Sequence, residues 1–68
     1  MLEKRSVSLS GHRTSIALEP EFWAALRELA QTGSITLAGL VGEVDAGRSP
    51  AQPLASALRV YVLKKAKS

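Results

Sequence analysis

The stretch RTSIALEPEFW, residues 13–23, changes its period half-way along. Thr14, Ile16 and Leu18 alternate with Arg13, Ser15 and Ala17, the period-two pattern of a half-buried strand. Glu19-Pro20-Glu21 then ends the strand and opens a helix. Proline fits a first helical turn because its missing N–H would have no intrahelical partner there, and acidic side chains suit the positive end of the helix dipole. From Glu21 to Gln31 the apolar residues recur at helical spacing, with Phe22, Leu26 and Leu29 in line and Trp23 and Ala30 widening the stripe. A strand running straight into an amphipathic helix is the reading on which the fold turns.

Toward the N-terminus the alternation continues. Val7 and Leu9 fall on one face and Ser6, Ser8 and Ser10 on the other, with Ser10-Gly11-His12 as a turn, so the strand region 5–18 holds two short strands. Toward the C-terminus, Thr32-Gly33 stops the helix of residues 20–31, and Gly33 is expected in the left-handed conformation that ends helices. Thr36 is the expected N-cap of a second helix, residues 36–46, whose buried stripe is Leu37, Leu40, Val41 and Val44. Gly39 and Gly42 each cost that helix about 1 kcal/mol relative to alanine. They admit two readings, a close approach by another helix or simply a weak helix. Residues 46–52 form a turn-rich linker, and Pro53 starts a last helix to residue 65 with Leu54, Leu58, Tyr61 and Val62 on one side. Val60 and Leu63 lie off that stripe, so this helix is expected to be gripped by two surfaces.

The 68 residues make one domain, 1–68, and a chain this short buries only about 60% of the surface its unfolded form exposes. Cysteine is absent and His12 is the sole histidine, which excludes disulfides and leaves no plausible zinc site; no cofactor is expected. Oligomerisation is the remaining source of stability, and a hydrophobic fraction of 46% with few aromatics suits a surface buried between subunits. No apolar run approaches the roughly 20 residues of a membrane span, and the charged start Met1–Arg5 does not read as a signal peptide. The expectation is a soluble cytoplasmic protein that does not enter a membrane.

The net charge of +3 is unevenly spread. Residues 1–13 set Lys4, Arg5 and Arg13 against Glu3; residues 14–45 set Arg27 against Glu19, Glu21, Glu28, Glu43 and Asp45; residues 46–68 carry Arg48, Arg59, Lys64, Lys65 and Lys67 unopposed. A basic head and tail around an acidic middle suggest a surface that attracts polyanions, with solubilising termini as the plainer account. Arg59 is expected to pair with Glu43 or Asp45, or to run its stem along a dimer surface. His12 reads as polar surface, and the terminal lysines as a solvated end.

A strand, a helix, a short glycine turn and a second capped helix leave open strand edges and an uncovered helix face. Pairing two chains covers both, giving a fold that is mostly α with a short N-terminal β-ribbon: an intertwined homodimer with an additional C-terminal helix. Ile16, Leu18, Phe22, Trp23, Leu26, Leu40, Val41 and Val44 are the expected dimer core. A two-stranded antiparallel ribbon fits the major groove of B-DNA, which is about 12 Å wide.

Residues 13–41 resemble the ribbon-helix-helix superfamily of Arc and MetJ type. Within it the chain is similar to a bacterial subgroup of short proteins carrying TSxxLExxFW and a later SxLRV. Both occur here, as Thr14-Ser15-Ile16-Ala17-Leu18-Glu19 with Phe22-Trp23, and as Ser56-Ala57-Leu58-Arg59-Val60. The likeness covers roughly residues 5–63. It implies that the outward strand residues Arg13, Ser15 and Ala17 contact DNA bases, Arg13 by two hydrogen bonds to a guanine edge. It also implies a phosphate clamped by backbone N–H groups at Thr36, Leu37 and Ala38, where a helix start leaves donors unpaired. Ala17 departs from the subgroup, which often has a large or basic residue there.

These residues admit two main functions. The first is a dimeric DNA-binding protein, a transcriptional repressor or antitoxin-like regulator, with two dimers side by side on repeated half-sites of double-stranded DNA. The second is a protein–protein interaction module of the same fold that has lost DNA binding, favoured by Ala17 and the acidic first helix; its apolar last helix would dock a partner protein such as a toxin. An enzyme is the third and poorest reading, because one histidine, no cysteine and six scattered carboxylates do not supply a pocket of positioned titratable groups.

Overall fold

Ser10 and Gly11 close the N-terminal strands on each other. Both have positive φ, 50° and 82°, the conformation of a type I′ two-residue hairpin turn. The computed structural model describes residues 1–68, with β1 (Glu3–Leu9) antiparallel to β2 (His12–Leu18), followed by α1 (Pro20–Thr32), α2 (Leu37–Gly47) and α3 (Leu54–Lys67). The register runs from Leu9↔His12 at the turn to Glu3↔Leu18 at the open end. The two strands pair within one chain as a hairpin, so β1 occupies one edge of β2 and leaves the other edge open. The physical cause of this pairing is the turn: Gly11 supplies left-handed backbone at no steric cost, and Ser10 adopts it beside the glycine at the cost of a side chain in that region.

The turn makes Leu9 and His12 a hydrogen-bonded pair, and alternation along the ladder fixes the rest. The backbone groups of Thr14 and Ile16 point to β1, while those of Arg13, Ser15 and Ala17 point out along the second edge of β2. No intramolecular backbone bond outside the ribbon uses that edge.

Val7, Ile16 and Leu18 form the buried face of the hairpin and pack on Trp23, Leu26, Ala30, Leu40, Val41 and Leu58. Six of the eight residues expected in a dimer core are thus buried inside a single chain: Ile16, Leu18, Trp23, Leu26, Leu40 and Val41. Phe22 and Val44 are only half-buried. Within the chain, β1 and α3 supply cover that a bare strand and helix pair would lack. Trp23 ties the layers together, its Nε1–H donating to the Glu3 carbonyl at 2.8 Å.

Pro20 opens α1, and Thr36 caps α2 through a bond from the Gly39 N–H to its hydroxyl at 2.9 Å; α2 and α3 begin at Leu37 and Leu54, one residue later than the expected 36 and 53, with Pro53 as the N-cap of α3. The end of α1 differs from expectation. Gly33 has φ −84°, and Ser34, at φ 58°, takes the left-handed position. The Ile35 N–H reaches the Ala30 carbonyl at 3.0 Å and the Ser34 N–H the Gln31 carbonyl at 3.1 Å, the two bonds of a Schellman motif set one residue later than Gly33 would set it. Neither glycine of α2 meets another helix: a Cβ at Gly42 would touch Leu9 of β1 at 3.9 Å, and one at Gly39 the Thr36 hydroxyl at 3.1 Å. On α3, Ala57 and Leu58 are buried, while Val60 is 39% and Leu63 55% exposed, so the chain's own fold covers one side of that helix.

Candidate nucleic-acid interface

Strand alternation separates two chemically different faces of the hairpin. The inner one carries Val7, Ile16 and Leu18. The outer one carries three cross-strand pairs, Lys4↔Ala17, Ser6↔Ser15 and Ser8↔Arg13. All of these are exposed except Ala17, which is half-buried. The face has two cations, three serine hydroxyls, one methyl and no carboxylate. Structure thus brings Arg13, Ser15 and Ala17 together as expected, and adds Lys4, Ser6 and Ser8 beside them. In the sequence Lys4 stands out only as part of the basic head, although the Ser10-Gly11 turn, read as a two-residue hairpin, sets it opposite Ala17 by counting alone.

The pairing of the basic residues sharpens the contrast. Arg5 lies on the inner side, ion-paired with Glu3 and with its guanidinium 5.6 Å from the centre of the Trp23 ring. Arg48 pairs with Asp45 at 2.8 Å. Arg59 pairs with Glu19 at 3.0 Å and lies 5.8 Å from the Phe22 ring centre, so neither Glu43 nor Asp45 is its partner. Proximity decides this: α3 packs against β2 and α1, which carries Arg59 to the β2–α1 junction where Glu19 sits. That hydrogen bond holds the Glu19 carboxyl below the ordinary glutamate range, with its own backbone N–H adding to the effect. Lys65 stacks on Tyr61. Lys4 and Arg13 make no hydrogen bond or ion pair with the rest of the chain through their side chains.

The start of α2 is a separate feature. The N–H groups of Leu37 and Ala38 have no intramolecular acceptor, whereas the Gly39 N–H is taken by Thr36. Thr36 and Ala38 are exposed and Leu37 is half-buried. No hydrogen bond links this turn to the ribbon. No group of three His, Asp or Glu side chains converges in the fold, and no residue set is assigned to a metal or cofactor.

A ribbon-helix-helix domain profile matches residues 2–66, almost the whole chain. The chain belongs to the ribbon-helix-helix family. Ribbon-helix-helix domains generally dimerise, bind DNA as regulators and are typically not enzymes. Among solved structures, an uncharacterized protein from Bordetella pertussis Tohama I superposes with a TM-score of 0.81 at 27% identity. The match takes in 98% of this chain but 57% of that one, so this ribbon-helix-helix chain spans little more than half of its neighbour's length. No functionally curated protein matches it. No helix is long and apolar enough to cross a membrane.

Proposed function

We propose that this ribbon-helix-helix protein is a DNA-binding transcriptional regulator, a repressor or antitoxin-like protein, working as a homodimer in the cytoplasm. The observation that carries this reading is the outer face of the hairpin: two unpaired cations, Lys4 and Arg13, on a hydroxyl-lined surface free of carboxylates. Such a surface suits phosphates and base edges together, because cations supply affinity and hydroxyls bond to several bases.

The dimer of this proposal joins two copies along the open edge of β2. Antiparallel pairing centred on Ser15 sets Arg13 opposite Ala17 of the second copy and uses the backbone groups that β1 leaves free. The edge of β1 is the poorer partner, since it opens with Glu3, Lys4 and Arg5, and charged side chains resist edge pairing. Neighbouring strands lie about 4.8 Å apart, so the outer strands of the resulting four-stranded sheet stand roughly 14 Å apart. That exceeds the major groove's width of about 12 Å. The two central β2 strands therefore enter the groove, with Arg13 and Ser15 on base edges and Ala17 limited to a thymine methyl. The free N–H groups of Leu37 and Ala38, beside Thr36, take a phosphate on this reading. Two dimers side by side on repeated half-sites extend a short footprint.

A test is chemical-shift mapping of the amide resonances on adding duplex DNA. The reading expects the perturbed residues to cluster at 4–17 and 36–38. Perturbation confined to α3, or none at low salt, contradicts it.

One observation favours a second reading, a partner-protein module. A groove of about 330 Å³ between α2 and α3 sets Val44, Ala57, Val60 and Tyr61 among the polar and charged Glu43, Arg48, Gln52 and Lys64, and leaves Val60 partly exposed. That surface suits a partner protein such as a toxin, and it is compatible with DNA binding on the ribbon side.

A further inference from the structure

Ala17 leaves its end of β2 without a hydrogen-bonding or charged group. Directly across the ribbon from it stands Lys4. Lys4 and Ala17 form one of the pairs that exchange no backbone hydrogen bonds, in which opposing Cβ atoms come within about 4.5–5.5 Å. Lys4 is exposed, and its ammonium makes no ion pair with the rest of the chain.

We propose that Lys4 is a DNA-contacting residue: β1 carries its ammonium to the phosphate backbone flanking the groove, supplying the cation that β2 lacks at Ala17. The inference rests on the DNA-binding reading above. Two observations and one consequence of the proposed dimer carry it. The outer face holds no carboxylate to compete for the ammonium. The neighbouring cation, Arg5, points to the other side and is already neutralised by Glu3, so it does not substitute. In a sheet wider than the groove, the outer strand lies over the groove wall, where the groups on offer are phosphates and not bases. The β1 strand is then part of the reading head and not merely a cover for the edge of β2.

The experiment is fluorescence anisotropy of labelled duplex DNA across a series of salt concentrations, with wild type, Lys4→Ala, Lys4→Arg and Arg13→Ala. A phosphate contact predicts that Lys4→Ala weakens binding by the same factor on unrelated duplexes. It also lowers the slope of log affinity against log salt by about one per copy bound. Lys4→Arg keeps the wild-type slope. Lys4→Ala with the wild-type slope, beside an Arg13→Ala that loses binding, overturns the inference and leaves the DNA reading standing. A wild-type protein that does not bind at low salt overturns both.

Discussion

Arg59 Nε donates to Glu19 Oε1 at 3.0 Å, a bond between residues forty apart in the chain. It unites the two motifs that carry the family likeness: Glu19 and Phe22 come from one, Arg59 from the other. The guanidinium pairs with the carboxylate and covers the Phe22 ring, so a single side chain fastens α3 to the junction of β2 and α1. That junction joins the ribbon to the helices.

Replacing Arg59 by Met should lower stability, with about 0.5–1 kcal/mol from the lost ring contact. The remainder should depend on pH. Glu19 has a folded pKa below its unfolded one, so the folded chain binds fewer protons there than the unfolded chain does. Its contribution is complete above the unfolded range, at about pH 5 and higher, and is lost as pH falls through the folded value. Urea denaturation at pH 7 and at pH 3 should show the gap between wild type and Arg59→Met narrowing in acid. An equal gap at both pH values contradicts the assignment.

Ser34→Gly should stabilise the chain by about 0.5–1 kcal/mol, because a left-handed residue with a side chain costs more than the extra chain entropy of glycine. Gly33→Ala should be close to neutral, since its φ is ordinary and an added Cβ meets only the Leu29 carbonyl at 3.4 Å and the Ala30 carbonyl at 3.8 Å. Chemical denaturation of both variants checks the pair. The reverse order would put the left-handed position back at Gly33.

Much of the fold is legible in the sequence. Period two in residues 13–18, Glu19-Pro20-Glu21 and the Thr36 cap are local signals, and β2, α1 and α2 begin where they point. Other features escape because they are settled by what lies across space. Arg59 can be matched by sequence to any acidic residue within reach, and only the packing of α3 against the β2–α1 junction selects Glu19. Gly33 is the better left-handed residue by propensity, yet the position is set by where the Schellman bonds close, and they close at Ile35. The ribbon's self-pairing is encoded in Ser10-Gly11, a turn visible in the sequence whose register follows only from its two-residue length. Among the site residues, Arg13, Ser15 and Ala17 emerge from alternation alone, whereas Lys4 needs the pairing.

Gly42→Ala should add up to about 1 kcal/mol through helix propensity, because the new methyl meets only Leu9 Cδ2 at 3.9 Å, an ordinary contact. Thermal unfolding followed by circular dichroism measures the change. A marked loss instead of a gain would show that another surface approaches α2 at this point.

Trp23→Phe should cost about 1–3 kcal/mol, combining lost core volume with the hydrogen bond to the Glu3 carbonyl. Hydrogen exchange should register the loss first at the open end of the hairpin, near Arg5 and Ile16, before the amides of α2. Uniform acceleration through the chain would argue that the indole N–H does not pin β1.

The central claim, that the outer face of the ribbon binds DNA, is tested most directly by anisotropy of a labelled duplex at low and at near-physiological salt, with wild type and Arg13→Ala side by side. The account predicts binding that weakens steeply as salt rises, and an Arg13→Ala variant that loses affinity while remaining folded. Binding of equal strength by both proteins, or no binding by a folded dimer at low salt, would contradict it.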